Sequence, residues 1–475
     1  MKNLIFFLIF LGVSLCSFSQ DEIPSVCRFG FTFEVSRQAS WGDGKPVILS
    51  ITPLSPADAA GLKINDVIES INGATTQGQM SETIVDWLQN SDAKIQLVVS
   101  NLKESNKEVS LLKECQLNNS LNERDLAPVY SFYSLEDVQS RSFTCPFKTT
   151  INMDVQLKNY KTFGFVAIDE NNRKLEEIIN KEIKESLEHR GLVYADNQPD
   201  LIVHTYYSYN KNPNYHASAN TEKFPIECRY NMHTKAMENL PIYYNPLIHT
   251  NQAEFFLKLG IRLIDRKKSS DDNLFTVWEC EANELLQSNY SLDKYSQFHI
   301  PLMVMQYPYP KSFERAEFYY SRFRYNYTGI GYNVNDLKEI ADIDLSSPAY
   351  EAGLRPGDVV EKINGIKFNH NLRNIDNDYK QFILKTMHLR DSKTQFTNAE
   401  GFTRCMYWDI MKYAQIAEEF KKPEFSTVFS YLFYFEPYIN LSGTNIVTFN
   451  ISRGKQKQEI RIKPLIITGE MFENR

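Results

Sequence analysis

Residues 347–365 read SPAYEAGLRPGDVVEKING, and residues 55–73 read SPADAAGLKINDVIESING. The two stretches share Ser-Pro-Ala, Ala-Gly-Leu, Asp-Val and a closing Ile-Asn-Gly at the same spacing and without a gap. An internal repeat this close outweighs local propensity as a sign of architecture, because each copy specifies a similar structural unit. The sequence therefore predicts two copies of one domain, far apart in the chain.

Each part of the repeat has a structural role that its residue types explain. Ser347 is able to cap a short helix, and Pro348 fits the first helical position. Gly61 and Gly353 are suited to the left-handed backbone that ends such a helix. The following Asp-Val opens a buried strand, and Asn-Gly closes it in a tight turn.

This repeat resembles the central motif of the PDZ domain, a small β-barrel that binds peptide termini. The resemblance implies a Gly-apolar-Gly-apolar loop whose backbone N–H groups hold the carboxylate of a peptide C-terminus. In the first copy the loop is expected at Arg28, Phe29, Gly30 and Phe31, with Arg28 replacing the first glycine and itself able to pair with a carboxylate. In the second copy it is expected at Gly329, Ile330, Gly331 and Tyr332.

The resemblance also implies a ligand groove between the strand after this loop and a helix. In the first copy residues 31–35 are the predicted strand. Ser81 begins the predicted helix, and Ser81, Val85 and Leu88 are expected to face the ligand. Core packing is the alternative explanation for part of that face. In the second copy residues 376–388 are the predicted groove helix.

The central part of the chain has a different pattern. Residues 171–189 carry an apolar stripe at helical spacing, residues 201–207 are a predicted strand, and a second helix is predicted at 281–286. The phrases NYKTFGF, PDLIV, RLID and TVWECEA resemble a domain family of unknown function, found in bacterial envelope proteins and lipoproteins of Bacteroidetes-like genomes. That resemblance implies an α/β sandwich and no known chemistry.

The predicted fold class is multidomain α+β, with two PDZ-like β-barrels flanking a central α/β sandwich. The predicted boundaries are a signal peptide at 1–19, a first PDZ domain at 24–115, a linker at 116–149, a central domain at 150–310, and a second PDZ domain at 321–470 with an insert at about 389–443.

The N-terminus is typical of a secretory signal. Lys2 supplies positive charge, residues 4–15 are apolar but too short to span a bilayer, and Ser17-Phe18-Ser19 is a small-x-small cleavage site. The alternative is a lipid anchor on Cys16, although the bulky Leu15 precedes it. We expect an exported protein of the periplasm or cell envelope, either associated with the outer membrane or secreted, without a later transmembrane segment.

The composition argues against nucleic acid as a partner and does not decide whether the cysteines are paired. The formal charge of −7 over 475 residues and the lack of a long basic run argue against nucleic acid. Six cysteines follow the leader, and they are either disulfide-bonded or buried thiols. Because the first and last strands of PDZ-like barrels lie close together, the resemblance favours a disulfide between Cys27 and Cys115, which bracket the first copy.

Catalytic and metal motifs are absent from the sequence. No GNSGG-type turn, HExxH or Asp-Thr-Gly occurs, and a Ser–Lys dyad is left open by spacing alone. His204 is interpreted as a hydrogen-bonded histidine rather than a catalytic one. His216, His233 and His249 lack metal-ligand spacing. We expect neither a cofactor nor a metal.

The insert contains an aromatic run, FSTVFSYLFYFEPY, at 425–438. A strand buried on both faces is one interpretation. The others are a lid or partner surface over the second PDZ groove and a loop that dips into a membrane.

The resulting functional hypothesis is an exported, non-enzymatic scaffold that binds peptide or protein C-termini or extended segments by β-strand addition. One alternative is a protease or protease adaptor. Another is a structural envelope protein whose PDZ grooves are occluded. The oligomeric state is open.

Overall fold

The computed structural model describes residues 25–117, 119–131, 141–216, 227–243, 250–270, 272–392, 395–397, 403–405, 408–420, 422, 427–432 and 446–474. The chain forms a mixed α/β molecule with a PDZ domain towards each end and a separate sheet between them. No helix in these ranges combines the length and apolar character needed to cross a membrane.

The first PDZ domain has eight strands and two helices. They are β1 Ser25–Arg28, β2 Phe31–Val35, β3 Pro46–Ile51, α1 Pro56–Ala59, β4 Val67–Ile71, β5 Ala74–Thr75, α2 Ser81–Gln89, β6 Lys94–Ser100, β7 Lys107–Leu112 and β8 Glu114–Leu117. The main sheet has the order β2-β3-β4-β6-β7, with β5 paired to β4, and β1 pairs antiparallel with β8. Strand β2 is therefore an edge strand.

The repeated motif folds as its residue types predict. Ser55 caps α1 by accepting a hydrogen bond from the Asp58 backbone N–H, and Ser347 caps the equivalent helix in the second copy. Gly61 and Gly353 follow with φ of +72° and +87°. Both residues of the closing Asn-Gly turn have positive φ in each copy, which is the geometry of a type I′ turn.

Between the first PDZ domain and the central sheet lie β9 Ser120–Asn122, α3 Glu123–Ser131 and β10 Arg141–Cys145. The predicted linker at 116–149 is therefore largely structured where the structure describes it. Its lack of periodicity has a physical reason: β9 and β10 pair with strands of the second PDZ domain instead of forming a unit with their own core.

The central domain is built on one six-stranded sheet with the order β11-β18-β17-β14-β12-β13. Its elements are β11 Phe147–Ile151, β12 Thr162–Phe165, α4 Arg173–Arg190, β13 Val193–Tyr194, β14 Leu201–Lys211, β15 Glu227–Asn231, β16 Ala236–Leu240, β17 Phe255–Asp265, β18 Thr276–Leu286 and α5 Leu292–Val304, with 3-10 turns at Leu157–Asn159, Glu170–Asn172 and Thr250–Gln252. Ile179, Ile183 and Leu187 of α4 are buried in the same core as the inner face of the sheet.

The helix predicted at 281–286 is wrong. Strand β18 continues through this segment to Leu286, because its backbone pairs with β17 as far as the Phe255–Leu286 register. Pairing along an 11-residue neighbour overrides the helix propensity of Glu, Ala and Leu.

The second PDZ domain contains the remaining elements. They are β19 Ala316–Tyr327, β20 Ile330–Asn333, β21 Ile340–Ile343, α6 Pro348–Glu351, β22 Val359–Ile363, β23 Ile366–Lys367, α7 Leu372–Lys385, β24 Gln395–Thr397, β25 Thr403–Cys405, α8 Tyr413–Phe420, β26 Val447–Arg453, β27 Gln456–Ile462 and β28 Leu465–Asn474, with 3-10 turns at Met387–Leu389, Ile410–Lys412 and Val428–Leu432. Strand β19 lies between β10 and β28, and β20 lies between β21 and β9.

The insert packs into the core of the second domain. Trp408, Ile416 and Phe429 are buried together with the strand residues of this PDZ domain. Within the aromatic run, Val428–Leu432 is a 3-10 turn with mostly buried side chains, so the interpretation as a strand is wrong there; residues 425–426 and 433–438 of the run lie outside the described ranges. A short 3-10 turn forms its backbone hydrogen bonds locally, so it buries consecutive side chains without a partner strand.

The first PDZ domain rests on the central domain. Trp41 is buried in the core of the central domain, and the Leu157 backbone N–H donates to the Ser40 carbonyl at 3.0 Å. The Gln38 side chain donates to the Pro310 carbonyl, also at 3.0 Å. These contacts place one end of the first PDZ domain on the central domain.

Candidate peptide-binding grooves

The repeated motif fixes which loop residues correspond in the two PDZ copies. The Ala57 backbone N–H donates to the Phe29 carbonyl at 2.9 Å, and the Ala349 N–H donates to the Thr328 carbonyl at the same distance. Ala57 and Ala349 occupy the same position of the Ser-Pro-Ala motif. Phe29 and Thr328 are therefore structurally equivalent, and so are the residues that follow them.

The residue after each of these is a glycine for a steric reason. Gly30 and Gly329 have φ of +84° and +89°. A Cβ at Gly30 would collide with the side chain of Ser55, and a Cβ at Gly329 would collide with Ser347. Only glycine fits the close approach between this loop and the capping serine.

This equivalence aligns the loop predicted at residues 28–31 of the first copy with residues 327–330 of the second. The second loop lies at Tyr327–Ile330, two residues earlier than predicted. Gly331 and Tyr332 belong to strand β20, and Tyr332 is buried. The Gly-apolar-Gly-apolar pattern favours Gly329-x-Gly331 because this stretch contains two glycines, whereas the equivalent loop has Tyr327 where the pattern expects the first glycine.

In the second copy the groove beside β20 is filled by another part of the chain. Strand β9 runs antiparallel to β20, with Ser120 opposite Asn333, Leu121 opposite Tyr332 and Asn122 opposite Gly331. The position that a bound peptide strand would take in a PDZ groove is thus held by residues 120–122.

The residue that follows β9 places a carboxylate in the loop. Glu123 Oε2 accepts hydrogen bonds from the backbone N–H groups of Thr328 at 2.6 Å and Gly329 at 2.9 Å. Its Oε1 accepts from the hydroxyls of Thr328 and Tyr431, each at 2.5 Å. The Glu123 side chain is only 1% exposed. Burial raises the pKa of this carboxyl to about 7, although the four hydrogen bonds act in the opposite direction.

In the first copy the same site is open within the described part of the chain. Strand β2 pairs with β3 from Phe31–Ile51 to Val35–Pro46, and no described strand lies on its other edge. The backbone N–H groups of Phe29 and Gly30 donate no hydrogen bond to any described residue. Arg28 is exposed at the start of this loop.

An apolar surface borders this open site. Phe31, Phe33 and Leu88 are half-buried against the core of the first PDZ domain, and Phe29 is buried in it. The rings of Phe29, Phe31 and Phe33 follow one another at centroid distances of 6.5 and 6.4 Å.

The exposed face of α2 carries the other predicted groove residues. Val85 is 38% exposed, and Ser81, one helical turn before it, is exposed as well. Leu88, which follows Val85 by three residues, packs against the core. Spacings of three and four residues place all three on one helix face. Their contact with a ligand stays a prediction.

The strands at the base of the first PDZ domain bring Cys27 opposite Cys115 in the antiparallel register. Cys115 is disulfide-bonded, while Cys145 and Cys280 are buried free thiols. The register places the predicted partner directly across the ladder. The Cys27–Cys115 pairing itself stays a prediction.

The histidines considered for chemistry are dispersed. His204 is on β14 with its ring 6.5 Å from that of Tyr206 and with no hydrogen bond to Nδ1 in the described structure, so the hydrogen-bonded interpretation fails for that atom. His216 bonds to the Asn214 carbonyl, and His233 bonds to Glu182 at 2.9 Å. His249 lies outside the described residues. Within the described ranges, no three potential ligands cluster for a metal.

Four residues of these sites were missed by the sequence reasoning: Glu123, Thr328, Tyr431 and Phe33. Tyr431 lies in the aromatic run. Phe33 follows Phe31 by two residues along the predicted strand, so the period of two would have placed both rings on the same face. Glu123 is one acidic residue in a polar stretch, and nothing in the sequence distinguishes it.

Comparison with known proteins agrees with this architecture. PDZ family models match residues 19–100 and 339–385, and the model of a domain of unknown function, DUF4136, matches residues 147–309. The molecule is thus a PDZ protein with a DUF4136 domain between its two PDZ domains. The resemblances proposed from the sequence are confirmed.

A solved structure places the chain within a family. A crystal structure of a PDZ domain protein from Parabacteroides distasonis is 44% identical, covers 95% of this chain and 100% of its own, and superposes with a TM-score of 0.80. The chain belongs to the family of that PDZ domain protein.

Other similarities are partial. The HtrA3 PDZ domain bound to a phage-derived ligand, FGRWV, is 15% identical, with a TM-score of 0.17 over 20% of this chain and 89% of its own. The photosystem II D1 C-terminal processing protease is 21% identical, with a TM-score of 0.16 over 25% of this chain and 26% of its own. No curated protein matches the chain.

Proposed function

We propose that the protein is an exported, non-enzymatic scaffold whose first PDZ domain binds the C-termini of other proteins. One observation carries the proposal. The second copy holds a carboxylate on the N–H groups of Thr328 and Gly329, and the first copy presents the equivalent N–H groups of Phe29 and Gly30 without a partner in the described chain.

The binding mechanism combines three elements. The peptide backbone adds to the free edge of β2 as an antiparallel strand, and its terminal carboxylate accepts hydrogen bonds from the loop N–H groups. The last side chain lies on Phe29, Phe31, Phe33 and Leu88, which favours an apolar terminal residue. Ser81 and Val85 on α2 select among residues further from the terminus.

The proposal is tested by changing the ligand and leaving the protein intact. A pool of fluorescent decapeptides with an apolar last residue is titrated into the full chain, first as free acids and then as C-terminal amides. We expect the amides to bind about tenfold to a hundredfold more weakly, because hydrogen bonds to an ionised acceptor contribute roughly 1.5–3 kcal/mol each. Equal affinity of the two pools would exclude carboxylate recognition.

Export and the lack of catalysis belong to the same proposal. They are supported by the Lys2 and residue 4–15 pattern and by the absence of protease motifs in the sequence. Cell fractionation followed by N-terminal sequencing should recover a mature chain that begins at Gln20. Incubation with casein and acyl-ester substrates should give background hydrolysis only; turnover that disappears when one serine is replaced would contradict the scaffold role.

A further inference from the structure

We propose that residues 120–123 are a built-in ligand of the second PDZ groove, and that they keep this groove closed to C-terminal peptides unless they are displaced. This inference concerns the second domain and goes beyond the function proposed for the first. It rests on the backbone pairing, the carboxylate contacts and the course of the chain after Glu123.

The backbone of the segment behaves as an added strand. Three residues, Ser120 to Asn122, pair antiparallel with β20 on the edge that β21 does not use. The pairing extends beyond the ladder, because the Val334 backbone N–H donates to the Asn119 carbonyl at 2.8 Å. Leu121 packs against the core of the second domain as a ligand side chain would. Strand addition to a PDZ groove has this same arrangement.

The carboxylate of Glu123 substitutes for the terminal carboxylate that an internal segment lacks. Glu123 Oε2 receives the N–H groups of both loop residues, Thr328 and Gly329. The chain then turns away from the groove, because Asn122 caps α3 by accepting from the Asp125 N–H at 2.7 Å. A peptide terminus would end at this point, whereas the chain continues into a helix and supplies its carboxylate from a side chain.

The segment is also fastened outside the groove. Arg124 donates to the Pro53 carbonyl of the first PDZ domain at 2.6 Å. Tyr431 of the insert closes over Glu123 and bonds to Tyr332 of β20 at 2.7 Å. An intramolecular ligand that is fastened on both sides of its groove rebinds without diffusing away, so a peptide in dilute solution competes poorly with it.

The contacts of Glu123 indicate which variants separate docking from folding. In Glu123→Gln, the amide oxygen still accepts from both loop N–H groups, and the amide nitrogen is able to donate to the hydroxyls of Thr328 and Tyr431. Glu123→Ala removes all four bonds and leaves the loop empty. Glu123→Gln is therefore the matched control for Glu123→Ala.

The first measurement is hydrogen–deuterium exchange on the full chain. In the wild type and in Glu123→Gln we expect Thr328, Gly329 and the β20 amides that face β9 to be protected. In Glu123→Ala we expect their exchange to be at least tenfold faster, with unchanged protection of β17 and β18 in the central sheet. Unchanged protection of the loop in Glu123→Ala would overturn the proposal.

The second measurement is the number of binding sites for the pool of free-acid decapeptides. We expect this number to rise by one from wild type to Glu123→Ala and to stay constant in Glu123→Gln. The increment is independent of the first domain, since a failure of the function proposed above changes the starting number from one to zero but not the difference. An exposed loop without an added site would mean that the segment is only a structural brace, and would overturn its role as a ligand.

A second variant covers the case in which Glu123→Ala fails to fold. Leu121→Asp places a charge on the docked strand without changing the loop or β20, so it should release the segment and give the same increment. A fully protected loop in a folded Leu121→Asp protein would contradict the proposal.

Discussion

Glu123 couples the docked segment to pH, and the direction follows from its pKa. The carboxyl has its ordinary pKa of about 4.5 when the chain is unfolded, and burial in the groove raises its pKa to about 7. The folded state therefore binds more protons between these two values, and its stability decreases as the pH rises from about 4.5 to 7. The tyrosine that touches it, Tyr431, stays neutral across this window because its pKa is raised well above the ordinary value.

This gives the first prediction. The free energy of unfolding of the wild type, measured in urea, should fall relative to that of Glu123→Gln by about 2–3 kcal/mol between pH 4.5 and pH 8, since one pKa unit corresponds to about 1.4 kcal/mol. The glutamine variant does not titrate at this position. The difference between the two proteins therefore removes the contributions of all other titratable groups to the pH dependence. A difference that is constant with pH would contradict the assignment of a buried acid.

Gly30 gives a second prediction about the open loop. Gly30→Ala should lower the free energy of unfolding by about 2–4 kcal/mol, because it adds a collision with Ser55 to the cost of a positive φ. Gly73→Ala is the control: Gly73 has φ +82° but open space around a Cβ, so only about 1 kcal/mol is expected. If Gly30→Ala and Gly73→Ala lost the same free energy of unfolding, the steric explanation for Gly30 would be wrong.

Residues differ in how far the sequence reveals them. The glycines and capping serines of the motif were predictable, since their roles are local and set by allowed backbone geometry. Glu123 was not, because the Thr328 amide that it binds is 205 residues away in the chain. A polar residue acquires such a role only when distant elements meet, and one sequence without an alignment carries no record of that meeting.

At the scale of elements, periodicity predicted α4 well and β18 poorly. The stripe of Ile179, Ile183 and Leu187 repeats every three to four residues and has one buried face. Residues 281–286 have helix-forming side chains, yet they pair with β17. Local propensity is decisive for an element that packs by one face, and it is overridden where a neighbouring strand offers a continuous ladder.

The β15–β16 hairpin is joined to the central sheet by a buried ion pair. Arg229 Nη1 donates to Glu284 Oε1 at 2.5 Å, and both side chains are 3% exposed. Tyr295 of α5 donates to the same oxygen at 3.0 Å. This cluster adds a charged connection between a hairpin, a strand and a helix to the apolar packing of Tyr230, Met237 and Leu240 in the same core.

The third prediction follows from that cluster. Glu284→Gln should lower the free energy of unfolding by about 3–5 kcal/mol, because it leaves the Arg229 charge buried with only Glu227 nearby. The double variant Arg229→Met with Glu284→Leu removes both charges and should recover part of the loss. Urea unfolding of Arg229→Met, Glu284→Leu and the double variant gives the coupling energy between the two side chains, and additive losses would show that the ion pair does not cause the destabilisation.

The fourth prediction concerns the strand pair β1–β8. Peptide mapping without reductant should recover Cys27 and Cys115 in one cross-linked fragment, since their backbones are directly opposite. In the chain-entropy model, a bond that closes a loop of roughly 90 residues stabilises the domain by about 4 kcal/mol. A free thiol on the Cys27 peptide from envelope-purified protein would exclude the pairing.

For the whole molecule, the repeat was sufficient to predict two PDZ domains, and their mutual arrangement was not predictable. The sheet β10-β19-β28 joins residues from three separate parts of the chain, and the rings of Phe143, Phe318 and Phe472 pack together on it at centroid distances of 5.2 to 6.3 Å. The second domain is therefore completed by strands outside the predicted boundaries at 321 and 470. Binding studies on a fragment cut at those boundaries would examine a groove from which the chain's own segment has been removed.

The docking of Glu123 also has a consequence for synthesis on the ribosome. Glu123 is translated 205 residues before the Thr328 amide and 308 residues before the Tyr431 hydroxyl that covers it. At roughly 5–20 residues per second, this interval is on the order of 10–60 s. Within that time the strands of the central sheet are translated as far as Leu286, while the segment after Asn119 still lacks its groove. Docking of residues 120–123 in the second groove is therefore a late step in the folding of each chain.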